Sequence, residues 1–211
     1  MLSRFESMLE HKISSLATAV DPAHDLLHFE RVVRSAKQIC KQEGGQLEVV
    51  VPAAWLHDFV IVPKNDPRRS QASRLSALAA IEFLREIEYP EQYFIDIGHA
   101  IEAHSFSAAI EPRTIEAAIV QDADRLDGLG AIGIARCFAT AGLMQRSFYS
   151  KDDPFCEHRE PNDREFTVDH FFAKLFRVAE TLKTPSGRLE GRKRVEVMKR
   201  FLYDLDGEIG S

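Results

Sequence analysis

The chain has 211 residues, 45% of them apolar, which is enough for one sizeable core. Its formal net charge of −6 argues against a general nucleic-acid or anionic-membrane binder, which would carry a basic surface. Three scattered cysteines, Cys40, Cys137 and Cys156, lack C-x-x-C spacing; this excludes a cysteine zinc site and fits reduced thiols serving as small hydrophobes.

The charges at Arg4, Glu6, Glu10 and Lys12 leave no signal-peptide core, and no apolar run is long enough to span a membrane, so a cytoplasmic protein is expected. Apolar spacing is helical nearly throughout. Phe29, Val32, Val33, Ala36, Ile39 and Cys40 trace one stripe, ended by Gly44-Gly45. Leu47, Val50, Val51, Ala54 and Trp55 trace the next, with Pro52 either starting its regular part or kinking it. Residues 60–67 read as a loop. Ala77, Leu78, Ile81 and Leu84 mark a helix before Tyr89-Pro90, and Phe94, Ile97 and Ile101 mark another after it. Thr114 to about Thr140 reads as one long central helix, apolar on several faces. Residues 149–166 are polar and form a long loop. Phe171 to Leu182 make a helix that stops near Thr184-Pro185, and Val195, Met198 and Leu202 belong to a last one. No repeat and no strand pair is evident. The fold class is all-α, read as a single domain over 1–211.

Chemistry concentrates at His57-Asp58, which closes the apolar run Val49–Leu56. A carboxylate in such a setting is costly unless something offsets its desolvation. A divalent cation does so, since imidazole nitrogen and carboxylate oxygen can share one metal. His28 lies upstream, and Asp122 and Asp124 lie far downstream. An isolated buried histidine is more often a hydrogen-bonded core residue than a ligand; for His57 and Asp58 together that bland reading is weak. Asp25 suits a helix N-cap, with His24 in an outer role. On helical spacing Asp122 shares a face with Ile115, Ile119 and Leu126 while Asp124 points the opposite way, so periodicity alone sends Asp122 inward. His104 shares a face with Ile97 and Ile101, whereas His99 falls nearly opposite and reads as solvated.

The order His…His-Asp…Asp resembles the HD superfamily of metal-dependent phosphohydrolases. The marks are His24-Asp25-x-x-His28-x-x-Arg31-Val32, Leu56-His57-Asp58, Ala103-His104-Ser105-Phe106, Gln121-Asp122-Ala123-Asp124-Arg125-Leu126, Gly130–Arg136 and His170-Phe171-x-x-Lys174-Leu175. The resemblance covers roughly residues 20–203 and implies a helical HD-domain fold. It implies one divalent metal ion (Mn, Fe, Mg, Zn or Ni) held by His28, His57, Asp58 and a further aspartate. For that ligand it favours Asp124 over Asp122, which becomes the leading alternative and a supporting partner. His104 then binds phosphate, shuttles a proton or joins a second metal.

Such a site implies hydrolysis of a small phosphate ester or nucleotide by metal-activated water, with Asp58, Asp122 and His104 as catalytic candidates. Lys64, Arg68, Arg69 and Arg125 are candidates for the phosphate charge; the bland reading of each is a solvated surface cation. Phe59-Val60-Ile61-Val62 departs from HD nucleotidases that carry an acidic residue shortly after His-Asp. A metal and nucleotide sensor without turnover is therefore a rival reading, and a di-iron oxygenase of the HD type would need a fuller histidine set. The basic cluster Arg188, Arg192, Lys193, Arg194, Lys199 and Arg200 reads as a solvated helix face.

Overall fold

The computed structural model describes residues 2–16, 25–62, 66 and 68–210. Among these the protein is helical, with a single isolated bridge, Ser147 to Phe166. The helices are α1 (Leu2–Leu16), α2 (Leu26–Glu43), α3 (Leu47–Leu56), α4 (Ala72–Glu86), α5 (Phe94–His104), α6 (Ile115–Asp127), α7 (Gly130–Leu143), α8 (Phe176–Glu180) and α9 (Pro185–Ile209). Short 3₁₀ turns precede α4 and α5, and a π-helix over Phe171–Leu175 runs into α8. No single described helix is long and apolar enough to cross a membrane.

The residues group into two compact units. The first is Met1–Asp124 with Lys183–Gly187. Its centre is α3, which packs against α1, α2, α4 and α5. Every residue from Val49 to Leu56 is buried, as an element apolar on all sides requires. Pro52 sits inside the helix and has no N–H for the carbonyl of Glu48, four residues back. The Tyr89 hydroxyl donates to that carbonyl at 2.7 Å, so the missing bond is replaced and the helix continues. Gln46 offers α3 no side-chain cap; instead its backbone N–H donates to Glu116 Oε1 of α6 at 3.0 Å. The apolar stripe of α2 is buried as its spacing predicts, and the helix ends on left-handed Gly44. Helix α1 buries Phe5, Leu9 and Ile13, a stripe that the sequence reading passed over.

The second unit is Arg125–Leu182 with Arg188–Ser211. Its rings gather around Phe138, Phe171 and Phe201, with Phe171 stacked on Phe201 at 6.0 Å. The long helix predicted from Thr114 to Thr140 is two helices, broken at Gly128-Leu129. Local contacts explain the break. The Leu126 carbonyl accepts from Arg194 at 2.6 Å and from the Leu129 N–H at 3.0 Å. At Gly133 the chain passes so close to Gly128 that a Cβ would lie 2.2 Å from its carbonyl oxygen. The loop predicted over 149–166 is irregular but tied down: fully buried Asp169 takes a two-point ion pair from Arg159 and the Asn162 N–H.

Candidate metal centre

Four elements of the first unit bring side chains to one place. Asp25 caps α2, accepting from the His28 N–H at 2.9 Å, which fixes the first turn and with it the His28 ring. His57 and Asp58 follow the end of α3, His104 ends α5, and Asp124 lies on α6. His57 Nδ1–H donates to the Ala54 carbonyl at 2.8 Å, and His104 Nδ1–H donates to the Ile101 carbonyl at 2.6 Å. Each bond to a carbonyl three residues back fixes Nδ1 as a donor and turns Nε2 inward, toward the His28 ring at His57 and toward the Asp58 carboxylate at His104.

The inward atoms converge. His28 Nε2 lies 3.3 Å from His57 Nε2. Asp124 Oδ1 lies 3.7 Å from His28 Nε2 and 3.8 Å from His57 Nε2. Asp58 Oδ2 is 3.7 Å from His57 Nε2, and Asp58 Oδ1 is 3.5 Å from His104 Nε2. The three histidines are buried, whereas the two carboxylates are each a little over a quarter exposed, which leaves one open side. A cation about 2.1 Å from each donor sets neighbouring donors roughly 3.0–3.4 Å apart and opposite donors about 4.2 Å apart; the separations of 3.3–3.8 Å among His28, His57, Asp58 and Asp124 fall between those limits, and the mixed nitrogen and oxygen set suits a divalent ion. The ligand atoms of His28, His57 and Asp58 all lie within 4.8 Å of one another.

Electrostatics follow from burial. Desolvation pushes His57 down to about 4 despite the nearby carboxylates, so its ring is neutral at pH 7. Burial acts on His104 in the same direction, but the adjoining Asp58 carboxylate more than offsets it and the pKa ends above the ordinary value. His104 therefore sits ready to hold a proton beside Asp58.

The other predicted residues fall elsewhere. Asp122 is fully buried and directed to Lys183 and Thr184, accepting from their N–H groups at 2.8 and 2.7 Å and from the Thr184 hydroxyl at 2.8 Å. Arg125 donates to the Thr181 carbonyl and hydroxyl at 2.9 and 2.8 Å. Arg68 pairs with Asp66 through two bonds, and this holds the Asp66 carboxyl down to about 2. Lys64 and His24 lie outside the described residues, as does the side chain of Arg69. His99, read as solvated, is part-buried and accepts from the Arg113 N–H at 2.9 Å.

Two contributors escaped the sequence reading. Buried Gln121 donates to the Ala103 carbonyl at 2.6 Å and so ties α6 to the end of α5, next to His104. Thr184 accepts from the Gly187 N–H at 2.9 Å and precedes Pro185, an N-cap followed by proline in the first turn that the sequence does display. A Cβ on Gly187 would meet Asp122 Oδ2 at 2.3 Å, so this turn requires glycine.

Residues 26–129 match the HD domain family. YpgQ of Bacillus subtilis is 31% identical over 209 residues, covering 93% of this chain and 90% of that protein. The crystal structure of YpgQ in complex with ADP superposes with a TM-score of 0.75 at 29% identity, covering 97% of each chain. An HD-superfamily hydrolase from Bacillus thuringiensis gives a TM-score of 0.75 at 27% identity, covering 99% of this chain and 96% of that one. With a relative of this identity and extent, and a family match that takes in His28, His57, Asp58, His104 and Asp124, the chain belongs to the HD-domain family.

Proposed function

We propose that the protein is a metal-dependent phosphohydrolase acting on a small phosphate ester, with a nucleotide as the leading substrate class. The observation that carries this reading is the convergence of His28, His57, Asp58 and Asp124 within hydrogen-bond range or slightly beyond, with His104 at one edge. His28, His57, Asp58 and Asp124 would hold one divalent ion. The chemistry such an ion supplies when bound is acidification of water and polarisation of a phosphoryl oxygen.

The chain's own residues supply the rest. Asp58 and Asp124 balance the cation's charge on the open side. His104, raised by Asp58, holds a proton at Nε2 and can pass it to a phosphate or leaving-group oxygen. Asp122 is committed to Lys183 and Thr184, so the water-assisting role offered to it in the sequence passes to His104 or Asp58. The ADP complex of YpgQ supports a nucleotide.

A second reading, nucleotide binding without turnover, is favoured by Phe59. It stands directly after Asp58, where HD nucleotidases carry an acid close by, and its ring stacks on Phe83 at 5.7 Å. Elemental analysis of chelator-free protein, followed by a phosphate-ester panel with Mn, Fe, Mg, Zn and Ni, separates the two. We expect about one ion per chain and release of phosphate or pyrophosphate. One ion with no turnover selects the binding protein, and no metal uptake at all overturns both.

A further inference from the structure

The basic cluster read from the sequence as a solvated helix face lines a groove. This groove of about 680 Å³ lies within the second unit, between α8 and α9. Small-molecule pockets span about 300–1,000 Å³, so its size suits an organic ligand rather than a lone ion. Phe176 and Ala179 on one side, and Leu189 and Val195 on the other, supply its apolar surface. The Phe176 ring is fixed edge-on by Phe171 and Phe172, at 6.3 and 5.7 Å. Leu189 is half exposed, an apolar side chain left without a covering neighbour.

The charges along the groove are one-sided. Arg188, Arg192, Lys193 and Lys199 line it from α9, against the carboxylates of Glu180 and Glu196. Lys199 neutralises Glu196 at 3.1 Å, which leaves Glu180 against three cations. Arg188 donates to the Leu182 carbonyl at 3.4 Å. Lys193 lies 3.7 Å from Glu190, a carboxylate that Arg194 already takes at 3.0 Å. No described carboxylate lies within ion-pair distance of Arg192. This crowding costs the helix stability. Arg188 and Arg192 are like charges one turn apart, near the N-terminal end of α9, where the helix dipole is itself positive. The far end holds Asp204, Asp206 and Glu208, with no cation after Arg200. The charge of α9 thus runs against its dipole, and an anion seated at Arg192 offsets that cost.

We propose that the groove between α8 and α9 binds a small aromatic anion. Its flat apolar body lies on Phe176, Ala179, Leu189 and Val195, and its anionic group is held by Arg192 with Lys193. A guanidinium takes two oxygens of a carboxylate, sulfonate or phosphate at once, and Lys193 acts as a point charge. An aromatic body suits the groove because the Phe176 ring and the guanidinium plane both stack on flat groups. Apolar surface and cations act together, so an inorganic anion or a neutral ring gains only part of the site.

The test uses the full chain freed of metal, so its outcome is independent of the metal reading. The probe is anilinonaphthalene sulfonate, which brightens in apolar surroundings, beside phenylnaphthylamine, the same ring system without the sulfonate. We expect saturable binding of the sulfonate, tighter than that of the neutral compound. Arg192→Gln should weaken the sulfonate roughly tenfold, the scale of one charge-assisted contact, and leave the neutral compound unchanged. Leu189→Gln should weaken both. The two side chains are exposed, so both variants should keep the circular dichroism of the wild type. Equal sulfonate affinity in wild type and Arg192→Gln would overturn the proposal, as would a neutral compound that binds as tightly as the sulfonate. Sedimentation at rising concentration supplies the remaining outcome: a dimer that either variant dissolves would give the groove to a second copy of the chain and overturn the proposal as well.

Discussion

Asp122 and Asp124 are two residues apart on α6 and face opposite ways, so their asparagine variants should separate metal binding from folding. Asp124→Asn removes a charge that would balance the cation, and metal affinity should fall by at least roughly tenfold, the lower end of what outer partners of metal ligands already cost. Asp122→Asn keeps one acceptor but turns an amide NH₂ toward a group of donors, and should lower stability by about 2 kcal/mol. Metal titration and urea denaturation of both variants check this; metal loss confined to Asp122→Asn would reverse the assignment. The sequence showed which of the two is buried but not what the burial is for. Asp122 does share the inward face with Ile119 and Leu126, and it is fully covered. Its partners are backbone groups some 61 residues away, which no local pattern reveals. Asp124 was favoured by likeness to known proteins, and its Oδ1 lies 3.7 Å from His28 Nε2 and 3.8 Å from His57 Nε2.

Among the elements, α2 and α5 bury the stripes read from their spacing, whereas α4 buries Ala77 and Leu84 but leaves Leu78 exposed, and of the residues read for α9 Met198 and Leu202 are buried. The break between α6 and α7 was not legible, because Gly128 and Gly133 look like small residues within a helical pattern until their mutual contact is seen. The loop over 149–166 was legible only as polar. Its order comes from Asp169, fully buried and bonded to Arg159 and Asn162. Burial pushes the Asp169 carboxyl up, but these donors more than offset that, and its pKa ends below the usual carboxylate range. Arg159→Ala should therefore cost about 3 kcal/mol at neutral pH, because it strands a buried charge. The sign with pH is fixed. A carboxylate with a lowered folded pKa contributes stability above its unfolded value and loses it as pH falls through the folded one. The gap between wild type and Arg159→Ala should thus narrow below about pH 4. Denaturation at pH 7 and pH 3 measures it, and a gap independent of pH would contradict the account.

For the whole molecule, the all-α class followed from helical spacing alone, and the order of histidines and aspartates pointed to the site. What sequence could not supply was the division of the chain, in which Lys183–Gly187 belongs with Met1–Asp124 although 58 residues, 125–182, lie between. If the chain binds its ion only when folded, saturating metal at about 100 times Kd should add about 2.7 kcal/mol of stability, lost on chelation. Thermal melts with and without chelator check this, and unchanged melting would mean that the site is not loaded. The clasp formed by Asp122 on Lys183 and Thr184 also carries a kinetic consequence. Closing a loop of some 61 residues opposes association by on the order of 4 kcal/mol of chain entropy. Contacts that span such a distance are expected to form after the rate-limiting barrier to folding, once α6 is already wound. Loosening the clasp with Asp122→Asn should then hasten unfolding in stopped-flow experiments while leaving the refolding rate nearly unchanged. The segment 183–187 would be the last part of its unit to lock and the first to let go.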